Sequence, residues 1–248
     1  AEKESIYGEF KKRQGEIISG IVQRMEGGNV FVDLGRATAI LPKEEQIRGE
    51  RYRIGERTRA LLFLVEETHR GINLFLSRSH PKFIAKLFEI EIPEIASGAV
   101  EIKNIAREAG SRSKIAVASK QDGIDPVGSC VGQKGVRIST IISELGGEKI
   151  DIIEWSDNPE DLIGNALSPA KIISVKANEK TREAEVTVDE DQLSLAIGKM
   201  GQNVRLAAKI TGWKIDIKSK AGEVVAQANE EGEVTTEKTA GDAQEIIK

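Results

Sequence analysis

Apolar and polar residues alternate in short runs over the first third of the chain. Between Gly15 and Arg78 the alternation marks five segments, Glu16–Met25, Asn29–Leu34, Arg36–Leu41, Arg57–Glu66 and Gly71–Arg78. A period of two predicts strands. Gly27-Gly28, Gly35, Arg48-Gly49-Glu50 and His69-Arg70-Gly71 supply turns between them. Five short strands at this spacing predict a small barrel of the OB type, because closing the sheet removes its exposed edges.

The period changes at His80. Phe83, Leu87, Phe88 and Ile90 form a helical stripe that Pro93 ends. Val100–Ala109 and Ser113–Ser119 read as a strand pair turning at Gly110, and Asp125-Pro126 is a helix start with proline in the first turn. A shift of 66 residues then lays the chain on itself. Asp125 falls on Asp191, Val131 on Ile197, Gly132 on Gly198, Gly135 on Gly201 and Gly146 on Gly212. The apolar face Ile138, Ile141, Ile142, Leu145 meets Val204, Ala207, Ala208, Thr211, the spacing of one side of a helix. With one residue deleted, Lys149-Ile150-Asp151-Ile152 meets Lys214-Ile215-Asp216-Ile217. Asn158-Pro159 starts another helix, and Lys171–Lys176 and Glu185–Val188 read as strands. Each copy therefore reads α-β-β-α-α-β, and a repeat of this length with mixed elements predicts tandem globular modules, not a solenoid.

Composition narrows the function. The chain has 248 residues, 36 basic against 40 acidic, for a net charge of −4. The excess acid sits in Ser219–Lys248, where seven acidic residues face three basic ones. Bulk charge therefore does not advertise a polyanion binder. The single cysteine, Cys130, excludes an intrachain disulfide or a Cys-rich zinc cage, and overlays Ala196 as a small filler. No metal, cofactor or catalytic group is expected: His69 and His80 have no nearby partner in sequence, and His80, next to Pro81, is expected to cap or pack. No apolar run spans a bilayer and the start is charged, so no membrane role and a cytoplasmic setting are expected. Ala1 in place of an initiator Met gives the expectation of a fragment. Ala221–Lys248 lacks aromatics and is rich in Ala, Glu, Thr and Gly, so it is expected to be disordered.

The repeat places a Gly-x-x-Gly loop between paired helices twice: Gly132-Gln133-Lys134-Gly135 and Gly198-Lys199-Met200-Gly201. Absent Cβ atoms let a sugar-phosphate backbone approach peptide N–H groups at the next helix start. That is the nucleic-acid clamp of KH modules, which holds about four nucleotides of single strand beside an apolar groove. Taken singly, such a motif is most often a helix-capping turn; two at matched positions, each with a lysine, favour the clamp. Val131 and Ile197 are candidates to line the groove, and Arg137, Gln202, Asn203 and Arg205 to add donors. Weaker candidates are Phe31 on the barrel, the basic cluster Arg107, Arg112 and Lys114, and Trp213; packing or solvation is the ordinary role of each. Arg36 and Arg70 are further phosphate candidates of the same kind.

The order barrel-KH-KH resembles the NusA family of bacterial transcription termination/antitermination factors. The stretches His80-Pro81-Lys82, Ile92-Pro93-Glu94-Ile95, Arg107-Glu108-Ala109-Gly110-Ser111-Arg112-Ser113-Lys114, Asn165-Ala166-Leu167-Ser168-Pro169-Ala170 and Gln192–Asn203 are similar to its signatures. The resemblance covers roughly Gly8–Lys218. It implies a multidomain α+β protein: residues 1–14 ending a connector, an OB-fold (S1-type) barrel at 15–79 and type II KH domains at 80–155 and 156–218; beyond the resemblance, composition makes 219–248 a disordered acidic tail. The resemblance also implies a non-enzymatic factor that binds single-stranded RNA, the nascent transcript, along both loops. RNA polymerase is then engaged through a domain absent from this chain, and other transcription or ribosomal factors are further candidate partners; a monomer is expected. The barrel departs from RNA-binding S1 domains at Leu41-Pro42-Lys43, where a His-Ile-Ser is usual. An RNA-binding accessory region of an RNA-processing enzyme, and a scaffold acting through the barrel, are the alternative readings.

Overall fold

The computed structural model describes residues 2–236, which form two compact units. The first contains residues up to Ala96, the turn Ala109–Ser111 and Val136–Glu148; the second contains Ser97–Glu108, Arg112–Gly135 and the chain from Lys149 onward.

In the first unit, helix α1 (Glu2–Lys12) leads into strands β1 (Ile17–Glu26), β2 (Asn29–Asp33), β3 (Thr38–Leu41), β4 (Arg57–Thr68) and β5 (Gly71–Ser77). They close into a barrel in the order β1-β2-β3-β5-β4. Alternation decides which side chains face in: Ile18, Val22, Val30, Val32, Ala39, Leu41, Ala60, Leu62, Leu74 and Leu76 fill the interior, and Phe10 of α1 joins them. Gly20 lies where strands crowd; a Cβ there would stand 2.5 Å from Val32 Cγ1 and 2.6 Å from the Asp33 carbonyl oxygen. Helix α2 (Pro81–Glu91) begins at His80, whose Nδ1 accepts from the Lys82 amide at 3.0 Å, with Pro81 in the first turn. It buries Phe83, Ile84, Leu87 and Phe88, and α3 (Pro93–Ala96) follows.

In the second unit, β6 (Val100–Glu108) and β7 (Arg112–Ser119) form an antiparallel pair, and β8 (Lys149–Glu154) adds to β7 in parallel. Helix α4 (Pro126–Val131) precedes the first Gly-x-x-Gly loop; α5 (Val136–Glu144), which follows that loop in sequence, belongs to the first unit. Asp125 stands at the start of α4 without a side-chain cap bond. Beyond β8 come α6 (Pro159–Ala166), capped by Asn158, then β9 (Ser174–Asn178), β10 (Glu183–Val188), α7 (Leu193–Ile197), α8 (Gln202–Thr211) and β11 (Lys214–Ser219). Strand β9 therefore starts at Ser174, later than its sequence pattern suggests.

The expectation of disorder after residue 219 is overturned for its described part. Strands β12 (Val224–Ala228) and β13 (Val234–Thr236) extend the sheet to β13-β12-β11-β10-β9. The reason is borrowed burial: Ala226 and Ala228 pack into the core built by α8 and β11, so the segment needs no core of its own. Residues 237–248, also assigned to the tail, lie outside the described residues. One apolar cluster runs through the unit, joining Ala106, Ala116 and Ile153 of the first sheet to Ile163, Leu167, Ala207, Ile210 and Trp213. Asn104 adds a hydrogen bond from Nδ2 to the Ile210 carbonyl at 2.8 Å. The first module's sheet and the second module thus share a core.

Candidate nucleic-acid interface

The two loops repeat in conformation as well as sequence. Gly132 has φ 76°, ψ 172° and Gly198 φ 77°, ψ 166°, a region essentially closed to residues with a Cβ. Lys134 (φ 53°, ψ 24°) and Met200 (φ 54°, ψ 30°) are left-handed, and Gly135 and Gly201 follow at φ 73° and 71°. Hydrogen bonds repeat too. Gly132 N–H reaches the Gly128 carbonyl and Gly198 N–H the Ser194 carbonyl, each at 2.9 Å; Gly135 N–H closes on Gly132 at 3.1 Å and Gly201 N–H on Gly198 at 3.0 Å. Each corner projects two exposed residues, Gln133 and Lys134 in one, Lys199 and Met200 in the other. Their peptide N–H groups stand in the short 3-10 turn, Gln133–Gly135 or Lys199–Gly201, that opens onto the next helix. Such amides, with a lysine beside them, suit a phosphate.

Several residues expected near this chemistry do other work. Asn203 is fully buried, its Nδ2 donating to the carbonyls of Leu167 and Ala196 at 3.0 Å each. It ties α8 to the turns around it and offers nothing to a ligand. Ile197 is 3% exposed and belongs to the core, whereas Val131 stays half-exposed. Lys114 is completely buried, its Nζ 2.9 Å from Asp151 and 2.8 Å from the Ser168 carbonyl. Arg112 holds the same carboxylate through Nε at 2.8 Å. This cross-strand cluster locks β7 to β8 and removes both cations from the candidate surface. Burial pulls the Lys114 ammonium down to about 8, against the pull of Asp151.

Arg205 is held in place. Its Nη2 lies 2.6 Å from Glu108 and its Nη1 donates to the Met200 carbonyl at 3.0 Å, while the Gln202 amide also reaches Glu108, at 2.9 Å. Arg205 therefore buttresses the second corner from behind. Arg137 pairs with Glu94 at 2.8 Å within the first unit. Arg107 is half-buried and bonded. Trp213 is 5% exposed, with the Arg182 guanidinium 5.3 Å from its ring centre. Phe31, half-buried, has Arg24 stacked 4.0 Å over its ring, and Arg36 pairs with Glu9. Pattern reading also passed over two exposed apolar side chains beside the loops, Val136 at 62% and Leu195 at 47%. Both fall off the buried stripes of their helices, which was the available signal. Among the described residues no group of His, Cys, Asp or Glu is arranged to hold a metal ion, and no helix is long and apolar enough to cross a membrane.

A five-stranded barrel followed by two α-β-β-α-α-β modules, each with the same glycine corner, defines an S1–KH–KH protein. Family models agree in order and extent: the S1 RNA binding domain matches residues 11–77, the NusA-like first KH domain 78–155 and the NusA-like second KH domain 159–224. The chain belongs to the NusA family. It is 52% identical over 221 residues to the transcription termination/antitermination protein NusA of Halalkalibacterium halodurans, covering 89% of this chain and 58% of that protein. The Bacillus subtilis protein of that name is 51% identical over 220 residues, covering 89% and 59%. The Thermus thermophilus one is 46% identical over 245 residues, covering 97% and 63%. The chain thus spans about three fifths of the length of these relatives.

Proposed function

We propose that the two glycine corners hold single-stranded RNA, the nascent transcript, and that the chain is the RNA-binding part of a cytoplasmic, non-enzymatic factor acting in transcription termination and antitermination. The observation that carries this is the duplicated corner, the same unusual backbone twice, each presenting the amides of a short turn and a lysine. Contact with RNA polymerase falls to the portion of the relatives outside the matched stretch. The phosphate-facing set is Gly132–Gly135 and Gly198–Gly201, with Val131, Leu195 and the Met200 side chain as the apolar surfaces available to bases.

Replacing the glycines is a poor test, because a Cβ on Gly198 would stand 2.7 Å from the Asn203 amide nitrogen and disturb the fold. Aspartate at the two loop tips is better. It tolerates the left-handed conformation of Lys134 and Met200 and places carboxylates where phosphates are expected. Gln133→Asp with Lys134→Asp, and Lys199→Asp with Met200→Asp, should each weaken binding of a labelled unstructured oligoribonucleotide by about tenfold or more, with the fold intact by circular dichroism. Unchanged affinity in both variants would remove the clamp assignment. The parent protein incubated with labelled RNA and magnesium should leave it intact; cleavage would favour a processing enzyme instead.

A further inference from the structure

The first unit contains an open cleft of about 450 Å³, lined by Val22, Tyr52, Thr58, five arginines (51, 53, 57, 59 and 78) and Glu50, Glu56 and Glu144. Its floor is an ion-pair network. Buried Arg78 grips Glu50 through Nε at 2.7 Å and Nη2 at 2.6 Å, and reaches Glu144 at 3.2 Å and the Arg59 carbonyl at 2.7 Å through Nη1. Arg59 takes the other Glu144 oxygen at 2.8 Å, and the Tyr52 hydroxyl donates to Glu50 at 2.7 Å. Burial and the Glu50 carboxylate push the Tyr52 phenol well above its ordinary range. The two floor carboxylates are therefore saturated by the chain's own donors, and the cations at the rim are in surplus. Arg51 is exposed and engages no carboxylate among the described residues. Arg53 is three-quarters exposed and makes a long contact of 3.8 Å with Glu56, itself exposed, and Arg57 donates to the neutral Ser19 hydroxyl at 3.1 Å. Ile54, between two of these rim positions, is 66% exposed.

We propose that this cleft is a docking site for an acidic protein segment carrying an apolar side chain, with Arg51, Arg53 and Arg57 taking carboxylates and Ile54 the apolar residue. The chemistry of the lining favours this occupant over RNA. A phosphodiester strand brings one charge per nucleotide at fixed spacing and would meet the loosely held Glu56 between Arg53 and Arg57, whereas carboxylate side chains can be spaced to avoid it and pair with guanidiniums singly and bidentately. The lining also offers no exposed aromatic face for a base, since the only ring, Tyr52, is half-buried with its hydroxyl committed.

The test uses the whole 248-residue chain with two labelled probes, a short glutamate-rich peptide containing leucines and an unstructured oligoribonucleotide. The peptide should bind at low salt, and Arg51→Glu with Arg53→Glu should weaken it by about tenfold while RNA affinity stays within about twofold. The milder Arg51→Gln with Arg53→Gln pair guards against a folding artefact and should give a smaller loss in the same direction. Ile54→Ser should cost affinity for the leucine-containing peptide but not for plain polyglutamate. Absent peptide binding, or peptide binding indifferent to the arginine changes, overturns the proposal. So does a parallel loss of RNA affinity, which would make the cleft an RNA site. Because the glycine corners lie in the other unit, failure here leaves the tandem clamp standing, and failure of the loop variants leaves this cleft standing.

Discussion

The two KH modules repeat a backbone yet stabilise it differently. Asp151 on β8 and Asp216 on β11 occupy the same place in the repeat, each in the third pair of its parallel register, opposite Lys114 in one sheet and Glu185 in the other. Asp151 is held by Lys114 and Arg112. Asp216 forms no ion pair among the described residues; its Oδ1 is buried without a partner, and burial raises its pKa against the weaker pull of Lys214 and a hydrogen bond from Gln227. Glu185 turns instead to Lys218, at 2.6 Å, which lowers its own pKa. The glycine corners differ in the same spirit. A Cβ on Gly135 would meet open space, whereas one on Gly201 would stand 2.7 Å from Val234 Cγ1 of strand β13. Duplication preserved the loop that faces outward and let the supporting contacts diverge.

The sharpest way to break this contrast is to neutralise the two aspartates in parallel. Asp151→Asn strands a buried ammonium without its counter-charge, a change that costs about 3–5 kcal/mol in comparable buried pairs. Asp216→Asn removes a carboxylate whose burial already opposes its charge, so the change should be within about 1 kcal/mol of neutral, or stabilising. Both tryptophans, Trp155 and Trp213, lie in the second unit, so urea unfolding followed by their fluorescence reports on both variants. Equal losses would mean that the two sheets bear their charges alike.

A pH series sharpens the same point with a somewhat smaller effect. Lys114 loses its proton near pH 8 when folded, while an unfolded lysine keeps it to about 10.4. Between those values the unfolded chain binds more protons, so stability rises with pH; the penalty of the buried charge is present in full below the folded value. The gain across the window is on the order of 3 kcal/mol. Lys114→Met should flatten this rise. The second sheet has Glu185 at the matched position and contributes no such slope, so a rise that survives in Lys114→Met would place its origin elsewhere.

What the sequence revealed, and what it hid, follows from the range of the interactions involved. Barrel strands were legible because alternation is local: Ile18, Gly20 and Val22 announce their face within five residues. The glycine corners were legible because their geometry is set by four consecutive residues, and repetition removed the ambiguity of one motif. Asn203 and Lys114 were misread because their partners, Leu167 and Asp151, lie 36 and 37 residues away. A polar residue after a Gly-x-x-Gly loop looks like a donor for a ligand until the carbonyls that need it are placed. Arg112 and Lys114 look like surface charge until parallel register sets them against Asp151. The β12–β13 hairpin was missed for a related reason. Its strands are short and poor in large apolar residues, and only the edge of β11, already formed, makes their burial worthwhile.

The smallest expected effect tests the hairpin's hold on the second corner. Gly135 and Gly201 share a left-handed φ, so alanine at either position pays the same backbone penalty, about 1–2 kcal/mol. Only Gly201→Ala also drives a methyl into Val234, adding roughly 1 kcal/mol of overpacking. Subtracting one variant from the other leaves the contact. In a Val234→Ala background the methyl finds room and the added cost of Gly201→Ala should vanish, a coupling of roughly 1 kcal/mol in a double-mutant cycle. Hydrogen exchange at Ala226 and Ala228, whose register partners on β13 are Thr236 and Val234, should rise in Gly201→Ala and stay unchanged in Gly135→Ala. If the cycle shows no coupling, strand β13 does not press on the loop in solution, and the two corners are as alike in their surroundings as they are in backbone.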